Sequence, residues 1–126
     1  MTITLDGTAG ATISGDMSFN SGYGSAAVAY GCRAWVNFNG TGTVAIRGSG
    51  NVTIITDGGT GLYTVNFTTA MPDVNYAVTS LNRSPGATSG HATQVETYTT
   101  SSTSIITINT AGANYDPTQV SVAVFR

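Results

Sequence analysis

Apolar side chains in this sequence recur at every second position in short runs, and glycine-rich turns separate the runs. A repeat of two is that of a strand, whose successive side chains point to opposite faces, so each run buries one face and wets the other. In the run from Cys32 to Asn39, Cys32, Ala34, Val36 and Phe38 fall on one face. Arg33, Trp35, Asn37 and Asn39 fall on the other. No window repeats apolar residues at helical spacing, and strong helix formers are scarce outside alanine. The chain is therefore expected to be all-β.

Val44 and Ile46 continue the pattern after Gly40-Thr41-Gly42, a connection short enough for a hairpin. Gly48-Ser49-Gly50 is then read as a break. Residues 51–56 hold Val52, Ile54 and Ile55, and Asp57-Gly58-Gly59-Thr60-Gly61 turns the chain into 62–68, where Tyr63, Val65 and Phe67 share a face. Met71-Pro72-Asp73 interrupts, because proline cannot donate to a central ladder. Strands are expected over 76–81, 92–100, 104–109 and 119–125, with loops at 82–90 and 111–118. Short strands about ten residues apart indicate a small antiparallel β-sandwich. Residues 1–24, rich in glycine, serine, threonine and asparagine, read as an extended N-terminal arm. The sandwich is placed at residues 25–126.

The 126 residues leave room for one domain with a sizeable core. Only 8% are charged, against about 25% in an average protein. Solubility must rest on hydroxyls and amides. Lysine is absent, the cations are Arg33, Arg47, Arg83 and Arg126, and the net charge is −2. Neutralising a phosphate backbone requires a basic stripe, so nucleic acid is not an expected partner. The beginning of the chain has neither a basic segment nor an apolar one of signal-peptide type, and no run approaches the ~20 apolar residues of a membrane span. Synthesis in a cytoplasm without membrane insertion is expected. Cys32, the single cysteine, is expected to pack as a small hydrophobe.

Chemistry-bearing patterns are sparse. One histidine, one cysteine and six scattered acids do not suggest a metal site, and no cofactor is expected. His91 lies beside Gly90 in an expected loop; a lone loop histidine is more often solvated or ligand-touching than catalytic. Asp57, Asp73, Glu96 and Asp116 are isolated in sequence, unlike the paired carboxylates of a glycosidase. Gly40-Thr41-Gly42 and Gly48-Ser49-Gly50 have no helix after them and so are turns rather than phosphate loops. The expectation is a non-enzymatic protein.

The run from Arg33 to Arg47, followed by Gly50-Asn51-Val52, resembles a module at the ends of phage tail-fibre proteins, notably in phages of marine bacteria and cyanobacteria. The resemblance continues through residues 55–78 and loosely over 120–125. The later half also resembles the strand order of H-type lectin and fibre-tip domains. This likeness implies a virion location, a homotrimer and binding to a host surface glycan.

On that footing the expected function is a tail-fibre or receptor-binding subunit. Its candidate glycan-contact residues are Asn82, Arg83, His91, Tyr98, Tyr115 and Asp116, presented by loops; the plainer reading is ordinary polar loops. Trp35, a large aromatic on the wet face of its strand, is a candidate contact with the arm or with another subunit. A capsid decoration subunit whose N-terminal arm lies across other virion proteins is the alternative, and a glycan-degrading tailspike fragment is a distant third.

Overall fold

The computed structural model describes residues 14–20, 24–84 and 91–126. The chain divides into two compact units, Met1–Tyr30 and Gly31–Arg126. The boundary lies beyond the expected residue 25, because a short strand pair within the first unit extends to residue 28. In that pair, β1 (Ser18–Phe19) runs antiparallel to β2 (Ala27–Val28). Residues 1–13 and 21–23 of the expected arm, and residues 85–90 of the expected loop, lie outside the described residues.

The second unit is an all-β sandwich. One sheet contains β3 (Cys32–Asn39), β4 (Ala45–Gly50), β7 (Ala77–Arg83) and β10 (Gln119–Phe125) in the order β4-β3-β10-β7. The other contains β5 (Val52–Asp57), β6 (Leu62–Phe67), β8 (Ala92–Tyr98) and β9 (Ser102–Ile108) in the order β5-β6-β9-β8. Every strand pairing is antiparallel.

The alternation explains the core. Ala34, Val36 and Phe38 of β3 and Val120, Val122 and Val124 of β10 are buried from one sheet. Tyr63, Val65 and Phe67 of β6 and Ile105 of β9 meet them from the other. The Phe38 ring meets the Tyr63 ring edge-on at 5.1 Å, a geometry that aligns a positive ring edge with a negative face. Two buried hydroxyls are satisfied by backbone carbonyls: Thr103 donates to Thr97 at 3.0 Å and Thr107 to Tyr115 at 2.6 Å. On the outer face of the β6–β9 pair, Thr64 and Ser104 hydroxyls bond at 3.0 Å, and Asn66 donates to Thr56 at 3.0 Å.

Three expectations need correction. Gly48-Ser49-Gly50 does not break the chain; it completes β4, pairing with Asn37, Val36 and Trp35. The corner is Asn51, which takes a positive φ of 55°. Its amide nitrogen donates to the carbonyls of Arg33 and Thr69, and its side-chain oxygen accepts from the Thr69 N–H. Asparagine suits this place because its short amide can satisfy the backbone in the left-handed region.

Cys32 is exposed rather than packed. A bulge between Val124 and Phe125 puts an extra residue into β3 opposite, and a one-residue slip turns a side chain to the other face. Asn82 and Arg83 belong to β7 rather than to a loop, since β10 offers Val120 and Gln119 as ladder partners that far along.

Candidate functional site

The residues singled out as glycan contacts do not share one surface. In β7, Val78, Ser80 and Asn82 point inward while Thr79, Leu81 and Arg83 point outward. Neighbours in sequence, Asn82 and Arg83 therefore serve opposite faces.

Asn82 joins an internal cluster. The Tyr115 hydroxyl donates to the Asn82 side-chain oxygen, and Asn82 donates to the Thr93 hydroxyl at 2.8 Å. His91 meets the Tyr115 ring edge-on at 4.4 Å. These contacts close the sandwich between β7 and β8. Burial raises the Tyr115 phenol's pKa above its ordinary value.

Asp116 is also engaged internally, accepting from the Gly61 N–H at 2.7 Å and from the Tyr63 hydroxyl at 2.8 Å. Burial first, then the Asp116 hydrogen bond and charge, raise the Tyr63 pKa far above its usual range. Tyr98 lies at the opposite end of β8 from His91, in a row of rings with Tyr76 at 5.2 Å and, beyond it, Phe67. Desolvation likewise raises the Tyr76 phenol's pKa.

A concave feature lies elsewhere, on the outer face of the β4-β3-β10-β7 sheet. A groove of about 390 Å³ is lined by outward residues of three strands: Trp35 and Asn37, Ser121 and Ala123, and Thr79 and Leu81. The register sets these residues in rows. Trp35 stands beside Ala123 and Thr79, Asn37 beside Ser121 and Leu81, and Gln119 beside Arg83. A second depression, lined in part by Leu81, Arg83, Gln119 and Ser121, continues the groove toward Arg83.

Trp35 forms one wall. Its indole lies over the neighbouring strand, where a Cβ on Gly48 would come within 3.3 Å of the ring and one on Gly50 within 2.5 Å of Nε1. The glycines are what let the ring lie against the backbone, and it stays 47% exposed. Leu81, 76% exposed, forms the other wall. On the floor, Asn37 donates to the Ser121 hydroxyl at 2.9 Å, leaving further donor and acceptor capacity on both groups.

Of the expected contact residues, Arg83 and Trp35 line this face, as does Asn82, whose side chain is nonetheless engaged with Thr93 and Tyr115. The one local signal for the groove was an aromatic on the wet side of a strand; its other members become neighbours only through pairing of distant strands. Among the described residues no group of three or more histidine, cysteine or acidic side chains is placed to hold a metal. No protein-family model, curated protein or solved structure matches the chain.

Proposed function

We propose that this chain is a non-enzymatic receptor-binding subunit of a phage virion, of tail-fibre type and working as a homotrimer, and that it holds host surface glycan on the β4-β3-β10-β7 face. The observation that carries the reading is the groove itself. A flat indole fixed on glycine backbone offers a platform for the C–H face of a pyranose, and Asn37, Ser121, Thr79 and Gln119 offer hydroxyl and amide partners for its oxygens. Sites of this kind combine apolar walls with a few placed polar groups. The resemblance of residues 33–47 and 55–78 to fibre-end modules supports the virion setting.

Purified protein incubated with host cells or isolated lipopolysaccharide should bind, and free sugar should compete it away. Trp35→Ala should abolish the binding while leaving the far-ultraviolet circular dichroism unchanged. Retained binding in a folded Trp35→Ala variant contradicts the placement of the site.

A capsid decoration role is the second reading, and the first unit favours it. Met17 precedes β1, Phe19 lies in it and Tyr30 follows β2, with Phe19 60% and Tyr30 78% exposed. So short a hairpin is marginal alone in water, and such side chains suit contact with other virion proteins. Imaging of the particle separates the two readings: density on the shell supports decoration, and density at a fibre end supports receptor binding.

A further inference from the structure

Charge is divided between the two sheets. Strands β3, β4 and β7 carry Arg33, Arg47 and Arg83, and no acidic residue occurs in any strand of their sheet. The strands of the opposite sheet carry Asp57 and Glu96 and no arginine or lysine. In a chain with so few charges, this separation gives the groove face a positive bias, which concentrates anionic ligands there.

The cation at the groove is Arg83. Its backbone is held by the Thr118 hydroxyl donating to its carbonyl at 2.9 Å, while the residue itself is exposed and lines the end of the groove farthest from Trp35. Arg47 differs, since its guanidinium donates to the Thr118 carbonyl at 2.7 Å. Arg126 is taken up by Asp73, whose pKa its hydrogen bonds lower.

We propose that the ligand is an acidic oligosaccharide, with one pyranose stacked on Trp35 and a carboxylate paired to Arg83, an inference that rests on the groove being the glycan site. The guanidinium fork matches a carboxylate in two parallel hydrogen bonds. From the Trp35 row to Arg83 the register advances four residues along β7 and two strands across, about 14 Å by about 10 Å at ordinary strand spacings. The direct span of about 17 Å is longer than one sugar ring, so the ligand is a chain of sugars. Gly50 acts as a positioning residue, because a methyl there would lie 2.5 Å from Nε1 and push the indole off its seat, whereas one on Gly48, at 3.3 Å, asks the ring to give by only a few tenths of an ångström.

The test titrates the full chain with tetragalacturonate and with the neutral tetragalactoside, following the emission of Trp35, the sole tryptophan. The acidic tetramer should bind at least ten-fold tighter at low salt, and the preference should shrink as ionic strength rises. Arg83→Gln should cut the preference to less than two-fold, whereas Arg126→Gln should keep it. Gly50→Ala should weaken both probes by several-fold in a protein of unchanged circular dichroism. Equal affinity for the two tetramers, or a preference that survives Arg83→Gln, overturns the acidic ligand and leaves the groove as a glycan site. Binding unchanged in Gly50→Ala overturns the positioning role. Failure of the folded protein to bind either tetramer overturns both the acidic ligand and the groove reading.

Discussion

Replacing Tyr63 with phenylalanine tests how the segment after β9 is fastened to the sandwich. The Tyr63 side chain is buried at 2% exposure, and its hydroxyl donates to Asp116 at 2.8 Å and lies 3.2 Å from the Gly40 carbonyl. A hydrogen bond to a charged group contributes about 1.5–3 kcal/mol net, so Tyr63→Phe should cost about 2 kcal/mol at pH 7. The same burial and the same carboxylate raise the folded-state pKa of the phenol above its unfolded value of 10.0. Below that value both states keep the proton and the contribution is intact. Above it unfolded chains ionise while folded ones do not, and the tyrosine's contribution falls by about 1.4 kcal/mol per pH unit. The variant has no phenol and escapes that loss. The gap of about 2 kcal/mol should therefore close near pH ~11.5, as read from urea unfolding of both proteins at pH 7, 10, 11 and 11.5. A gap that stays constant through this range would show that the phenol reaches water and does not hold Asp116.

Other substitutions probe the core and the groove. Phe38→Ala removes a side chain with 0% exposure from between the sheets and should cost about 3–5 kcal/mol in urea unfolding. Thr107→Val keeps the shape but deprives the Tyr115 carbonyl of its 2.6 Å donor, and should cost about 1–2 kcal/mol in the same assay. Ala123→Phe fills the groove floor from the outer face of β10; calorimetry should show glycan affinity lowered at least ten-fold with unfolding still cooperative.

The strand faces were legible wherever one side of a strand meets the core and the other meets water. Residues 119–125 and 62–67 alternate as their burial does, because period-two patterning and antiparallel sheets with one wet face express the same constraint. The glycines at 48–50 serve packing between strands rather than a turn. Their local meaning is a turn, but the reason for them is the indole of Trp35, brought over them only when β3 and β4 pair. Cys32 faces outward for a related reason, since the bulge that turns it lies opposite Val124 and Phe125, far from it in sequence. The polar run at 82–84 resembles a loop by composition, yet the length of β10 decides how far β7 continues. Trp35 was conspicuous as an aromatic on a wet face. Its groove partners Leu81, Ser121 and Ala123 had no local mark, because a site on a sheet face is assembled from residues far apart in sequence.

The central claim is that the outer face of the β4-β3-β10-β7 sheet is where this protein meets saccharide. Isotope-labelled protein titrated with saccharide released from host cells would test it by nuclear magnetic resonance. The account predicts shift changes at the Trp35 indole N–H and at the amides of Asn37, Leu81, Ser121 and Ala123. Changes confined to His91, Tyr115 and Tyr98, with the Trp35 signal unmoved, would contradict it.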